Sequence, residues 1–264
     1  MIGAVIGDII GSRFEWDNYK GKDFELFAKT CRPTDDSIMS LAVAQALVES
    51  DDDYSDLSAN TIKHMRRLGR KYPNAGYGGR FAQWLSSDDM GPYNSLGNGA
   101  AMRISPVGFA ARSIDETQRL SRIVTEVTHN HPEGIKGAEA TAVAVHMAKI
   151  GNSKEEIKKH IINNYYAIDS TLDDIRDEYE FDVTCQGSVP QALEAFFEST
   201  DYEDAIRNAI SIGGDSDTIA AISGSIASAY YGIPEDIKTR ALAFLDEGLI
   251  DIWHNFENKY MNNR

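Results

Sequence analysis

The stretch Ser211-Ile212-Gly213-Gly214-Asp215-Ser216-Asp217-Thr218-Ile219 decides how the rest of the chain is read. Two glycines lead into two carboxylates two residues apart, and a threonine follows. Small and apolar residues with helical character then run from Ile219 to Tyr231. Adjacent glycines suit a tight turn that needs φ > 0. Asp215 or Asp217 then caps the new helix. A cap uses one carboxylate. The other, with the Thr218 hydroxyl, is surplus, and hard cations take carboxylate and hydroxyl oxygens.

A second stretch repeats the pattern near the other end of the chain. Pro33-Thr34-Asp35-Asp36 precedes an amphipathic run from Ser37 to Val48, with Ile38, Leu41, Ala42 and Leu47 apolar. A cap explains one of these acids, and the helix dipole can use the second. Two such clusters strain that explanation. If the fold brings them together, they supply four carboxylates and two hydroxyls, enough oxygen for two divalent ions in a bridged site.

Working outward, the pattern is helical almost throughout. Met1 to Gly11 is apolar, with Gly3, Gly7 and Gly11 four residues apart on one helix stripe, which permits close helix packing. Asp8 inside that run is costly unless hydrogen-bonded or near a cation. It reads either as a buried, structurally satisfied acid or as a supporting group beside a metal. Further helices are expected over 57–71, 77–85, 115–127, 132–150, 154–162, 189–198, 202–212 and 218–230, with a short turn at 171–176 and one or two helices over 235–257. Pro132 suits a first helical turn, and Ser153 with Glu156 resembles a capping box. The 90–105 region, with Gly91, Pro92, Gly97 and Gly99, starts as a loop. Asp51-Asp52-Asp53 reads as solvated loop. No period-2 strand pattern, linker or sequence repeat divides the chain, so one domain over residues 1–264 is expected.

Composition bounds the function. The 264 residues are 42% hydrophobic and 25% charged, as in an ordinary soluble globular chain. A formal net charge of −15 disfavours stable nucleic-acid binding or attachment to an anionic membrane, because phosphate contacts need a basic surface. A phosphate-bearing small substrate is still compatible if metal ions neutralise it locally. Cys31 and Cys185 are the two cysteines, with no CxxC pair or disulfide framework, so a reducing cytoplasm is the expected location. Cys31 reads as a core or loop thiol. The N-terminal apolar run is too short to span a bilayer and lacks a basic leader.

Two other stretches bear chemistry. In Ser95-Leu96-Gly97-Asn98-Gly99-Ala100-Ala101-Met102-Arg103, glycines free backbone N–H groups that can form an anion nest; read alone it is also an ordinary turn. It lacks the lysine of a P-loop and the preceding strand of a dinucleotide fingerprint. Thr128-His129-Asn130-His131-Pro132 joins two helices, which argues against a ββ-metal nuclease. It also lacks the partners of a zinc site. One of its histidines can contact a ligand while the other caps or packs. Tyr77, Phe81 and Trp84 read as core aromatics at helix spacing, and Arg80 as a surface ion-pair partner, with contact to a phosphate as the alternative.

Taken together these stretches resemble the ADP-ribosylglycohydrolase family, and the resemblance covers nearly the whole chain. Gly7-Asp8 with Glu15 resembles the family's opening helix and loop. Thr34-Asp35-Asp36 resembles its first metal motif, and Gly214-Asp215-Ser216-Asp217-Thr218 its second. Gly97-Asn98-Gly99 with Met102-Arg103 resembles its ligand-phosphate loop, and Thr128-His129 a further ligand-contacting segment. Leu96 stands where some members carry tyrosine.

The resemblance implies an all-α, compact multi-helix bundle around two Mg2+ or Mn2+ ions. It implies that Thr34, Asp35, Asp36, Asp215, Asp217 and Thr218 ligate those ions. It places Glu15 at the metal pair, with Glu15, Asp35 and Asp217 carrying the chemistry. Ser95, Gly97, Asn98, Gly99 and His129 are implied contacts for ADP-ribose. The adenine-stacking aromatic has no assigned position. The expected activity is metal-dependent hydrolysis that releases ADP-ribose from a modified protein side chain or a small molecule. The rivals are a catalytically weak, crystallin-type binding protein and a metal-dependent phosphohydrolase. The full set of six ligands argues against the first, and an ADP-ribose rather than AMP product separates the second.

Overall fold

In a computed structural model, which describes residues 1–261, the chain is 63% helix with no strand among those residues. The all-α expectation holds. Residues 262–264 of the expected single-domain span lie outside the described residues. Two helices set the frame. α1 (Ile2–Gly11) is buried along its whole length. The helix Ser216–Tyr231 (α13) packs against α1 and against the helices Pro132–Lys149 (α8), Cys185–Phe197 (α11) and Tyr202–Ser211 (α12).

The glycine stripe explains how close α1 and α13 come. A Cβ on Gly7 would stand 2.1 Å from the Ala220 carbonyl oxygen, and one on Gly11 would stand 2.6 Å from the Asp217 Cα. Hydrogen in place of methyl is therefore a condition of the contact, and on the α13 side Ala220, Ala221 and Gly224 keep the facing surface equally low. The Tyr202 hydroxyl donates to the Gly3 carbonyl at 3.0 Å, which ties α12 to the same pair.

α2 (Asp35–Glu49) packs on α1, on α3 (Leu57–Lys71), on α6 (Ser105–Ala110) and on the C-terminal helix α15 (Glu247–Tyr260). The remaining helices are α4 (Gly79–Ser86), α5 (Gly99–Met102), α7 (Ile114–Thr125), α9 (Lys154–Asn164), α10 (Leu172–Ile175) and α14 (Glu235–Leu242). One hydrophobic cluster runs from Met1 to Phe256. Cys31 is buried within it, and the 51–53 acids are exposed.

Most helix starts follow local chemistry. The expected Ser153–Glu156 capping box is present on α9, and Pro132 opens α8. Gly151 and Gly232 take φ of 90° and 78° after α8 and α13, the usual glycine stop. Two starts differ from expectation. α11 begins at Cys185, four residues before Val189, because Thr184 caps it by accepting from the Gly187 N–H. The helix then carries Pro190 in its second turn. α6 is a short helix that opens on Ser105-Pro106 and has no sequence periodicity long enough to reveal it. No helix among the described residues is long and apolar enough to cross a membrane.

Candidate active site

Gly213 and Gly214 take φ of 69° and 70°, as the turn requires. A Cβ on either would strike a neighbour: Asn18 Oδ1 at 2.2 Å for Gly213, the Tyr179 ring at 2.4 Å for Gly214. The glycines thus deliver Asp215 and Asp217 to one place. The capping expectation fails here. Asp215 occupies the N-cap position of α13, but no side chain makes the capping bond. Asp215 Oδ2 instead accepts from Asn98 Nδ2 at 2.6 Å, and Asp217 Oδ1 accepts from its neighbour's N–H on Thr218 at 2.9 Å. At α2 it is Thr34, not an acid, that caps, accepting from the Asp36 N–H at 3.3 Å. In both clusters the acids are released from capping; Asp36 approaches Asp217, which also approaches Asp215, while Asp35 stands outside these close carboxylate groups.

Asp8 joins the two clusters. It is fully buried and accepts from the Thr34 N–H at 2.9 Å, the Thr34 hydroxyl at 2.6 Å, the Ser37 N–H at 3.1 Å and the Ser37 hydroxyl. Four donors satisfy the acid inside α1 and clamp the start of α2 against it. Asp8 is therefore structurally satisfied, and one of its oxygens lies within 4.8 Å of oxygens of Asp36 and Asp217. A second such group is Glu15, Asp215 and Asp217.

These carboxylates lie where a negative charge is hard to hold. Burial, with Asp215, drives Glu15 up to about 7. Burial, with Asp8, drives Asp35 up to about 7, and burial alone outweighs the hydrogen bonds that would lower Asp8, leaving it at about 6. Burial and mutual repulsion push Asp36 and Asp217 well above the ordinary range, and burial raises Asp215. Asp36 Oδ1 is buried with no hydrogen-bond partner. A hard divalent cation fits this set: it takes oxygen donors, neutralises the repulsion and gives the orphaned oxygen a partner.

One cavity of about 540 Å3 gathers Glu15, Asp35, Asp36, Asp215, Asp217, Thr218, Ser95, Gly97, Asn98, Gly99 and His129. Thr34 is the one expected site residue outside its lining. Its hydroxyl donates to Asp8 and accepts from Asp36, which leaves one lone pair. The acidic cluster and the glycine loop meet at Asn98, whose amide donates to both Asp215 and the Ser188 hydroxyl. His129 is buried against the loop, and burial with the Arg103 charge holds its imidazole well below the usual range.

Sequence reasoning missed one whole wall. The Asn98 N–H donates to the Val183 carbonyl at 2.8 Å, and the Cys185 N–H to the Leu96 carbonyl at 3.0 Å, so residues 181–184 run alongside the glycine loop. Phe181 from this segment stacks on Trp16 with ring centroids 5.0 Å apart, and both line the cavity although Trp16 is 78% exposed. The only local signal was the Asp182-Thr184 turn, in which Asp182 Oδ1 accepts from the Thr184 N–H and hydroxyl. Tyr93, Phe81 and Arg80 complete the lining, with Arg80 over the Tyr93 ring at 5.1 Å.

Comparison with known proteins identifies the family. The profile of the ADP-ribosylglycohydrolase family matches residues 1–260. ADP-ribosylhydrolase ARH3 of Homo sapiens is 24% identical, over 89% of this chain and 85% of that protein. ADP-ribosylarginine hydrolase Tri1 of Pseudomonas putida is 29% identical, over 88% and 70% respectively. An uncharacterized protein of Archaeoglobus fulgidus is 34% identical, but the match spans about half of each chain, 52% and 50%. Among solved structures, an ADP-ribosylglycohydrolase-related protein complex superposes with a TM-score of 0.74 at 24% identity, over 98% of this chain and 96% of that one. With a match along nearly its whole length, the chain belongs to the ADP-ribosylglycohydrolase family of enzymes.

Proposed function

We propose that the protein hydrolyses the glycosidic bond between ADP-ribose and a modified acceptor, a protein side chain or a small molecule, and releases ADP-ribose. The observation that carries this reading is the Asn98–Asp215 hydrogen bond, which joins a glycine-rich anion loop to a cluster of buried carboxylates in one cavity. A diphosphate needs the first and a reacting ribose the second. Cleaving an anomeric C–N or C–O bond builds oxocarbenium charge on the ribose, and a carboxylate wall favours that charge.

Asp35, Asp36, Asp215, Asp217 and Thr218 are the residues we assign to two Mg2+ or Mn2+ ions, with the free lone pair of Thr34 beside them. Bound divalent ions supply Lewis acidity toward ribose hydroxyls and water. The chain's own residues do the rest. Ser95, Gly97, Asn98, Gly99 and His129 bind and orient ADP-ribose. Glu15, half-buried on the loop after α1, is the residue we assign to hold the attacking water and take its proton.

The test is a panel of arginine-linked, serine-linked and small-molecule ADP-ribose conjugates, each with magnesium, with manganese and after complete chelation. Metal-dependent release of ADP-ribose from at least one member is expected. Release of AMP would support the phosphohydrolase instead. No turnover across the panel, with ADP-ribose still bound, would support a binding protein.

A further inference from the structure

Arg103 is a buried guanidinium with no carboxylate in hydrogen-bond or ion-pair contact among the described residues. It follows α5, is 1% exposed, and lies over the Phe81 ring at 5.3 Å. Its Nη2 lies 2.7 Å from Thr128 Oγ1 and 3.3 Å from His129 Nδ1. Thr128 Oγ1 is itself 2.7 Å from the same Nδ1. A guanidinium nitrogen only donates. The Thr128 hydroxyl can accept from Arg103 and pass its own hydrogen to the imidazole, so both groups present donors to Nδ1. A proton on Nδ1 would face the guanidinium N–H head to head, and an imidazolium would place a second charge beside a buried cation. The remaining species is the neutral ring with its proton on Nε2. Nε2 lies 3.4 Å from the position a Cβ would take on Gly99 and 3.6 Å from that on Gly97, so this edge of the ring overlies the glycine loop.

We infer that Arg103 is a positioning residue that fixes His129 as its Nε2–H tautomer, making His129 a permanent neutral donor to an anionic ligand on the Gly97–Gly99 loop and not a general base. The direction of the His129 shift agrees with this, since burial and Arg103 both resist its protonation. The identity of the anion as the ADP-ribose diphosphate rests on the function proposed above. The tautomer does not, because it is a property of the ligand-free chain.

Long-range 1H–15N correlation spectra of 15N-histidine-labelled, ligand-free protein read the tautomer directly. His129 is expected as Nε2–H at neutral pH, unchanged from roughly pH 5.5 to 8. An Nδ1–H or doubly protonated ring in the wild type overturns the inference without any variant. Arg103→Met, checked for folding by circular dichroism, is expected to show a mixture of tautomers. Its ADP-ribose Kd is expected to rise roughly 10- to 100-fold, the worth of one hydrogen bond to a charged group. Weaker binding with His129 still wholly Nε2–H would mean that Arg103 acts only through packing, and overturns the positioning role. Mixed tautomers with an unchanged ADP-ribose Kd would confirm the assignment and overturn instead the reading of the ligand.

Discussion

Gly11→Ala should damage the active site from behind. Gly11 ends α1 and faces Asp217, which the proposed function assigns to the metal ions. The added Cβ would stand 2.6 Å from the Asp217 Cα and 2.8 Å from the Ser216 carbonyl oxygen, where an ordinary contact begins near 3.4 Å. One helix must therefore move by roughly 0.8 Å, and the atoms in the way are backbone, which cannot rotate aside. Overpacking of this kind costs about 1–3 kcal/mol, against which alanine returns about 1 kcal/mol of helix propensity. The expected net loss of up to about 2 kcal/mol lowers Tm by roughly 2–4 °C per kcal/mol in a chain of this size. The sharper consequence is positional. A displacement near 1 Å of a catalytic group can cost about 10²-fold in turnover, and the displaced atom is the Asp217 Cα. Gly3→Ala is the control. Its Cβ would meet Ser228 Cβ at 2.3 Å and the Gly224 carbonyl at 2.5 Å on the same interface, far along α13 from Asp217. Thermal melts, manganese titration calorimetry and ADP-ribose release at saturating metal should show both variants destabilised and only Gly11→Ala losing metal affinity and turnover. If Gly11→Ala melts early but binds metal and turns over like wild type, the stripe is packing alone and the argument is wrong.

Glu15→Gln keeps the shape of the side chain and removes its basicity, so it should retain metal and ADP-ribose binding while kcat falls at least ~10²-fold; single-turnover rates within a few-fold of wild type would remove Glu15 from the mechanism. Gly99→Val places branched carbon where His129 Nε2 already lies 3.4 Å from a bare Cβ position, and should weaken ADP-ribose binding with the metal sites intact; calorimetry giving an unchanged Kd in a folded variant counts against the loop as the diphosphate site. The metal-free protein should lose stability as pH rises from roughly 4 to 7. Asp8 holds its proton more tightly folded, at about 6 against an ordinary 3.8, so its contribution is present at low pH and lost as pH climbs through 6, a change of about 3 kcal/mol. Asp35 and Glu15, both at about 7, act in the same direction. Saturating magnesium or manganese should abolish the slope, and a metal-free Tm that stays flat or rises with pH would contradict it.

The fold was readable in sequence wherever a local rule was strong. The Gly3-Gly7-Gly11 spacing named a close-packed helix face, and α1 against α13 is that face. The Ser153–Glu156 box, Pro132 and the glycines at 213 and 214 each fixed a boundary or a turn by chemistry that acts within a few residues. Loops that take shape only against distant backbone were not readable. Residues 181–184 have no periodicity, and their course is set by bonds to Leu96 and Asn98 across the chain. Trp16 and Phe181 gave no signal, because an exposed aromatic is recognisable as part of a site only once its partner is known.

The acids stood out in sequence only as two surplus pairs at helix starts, which did not by itself assign them a role. At a helix start, an acid that only caps is indistinguishable from one that serves a ligand until its hydrogen bonds are traced. Thr34 takes the cap at α2, and α13 has no side-chain cap. The stability such caps offer, typically about 1 kcal/mol each, is therefore not what holds Asp35, Asp36, Asp215 and Asp217 in place. The structure goes further and surrounds them with burial and like charge, which in a metal-free chain favours protonation over ionisation. Asp8 shows that the arrangement is built and not incidental. Its four hydrogen bonds hold a fifth acid against the first cluster, in the middle of an otherwise apolar helix. On the proposed function the counter-charge is a divalent ion, and Asp36 Oδ1, buried and without a hydrogen-bond partner among the described residues, is free to accept it.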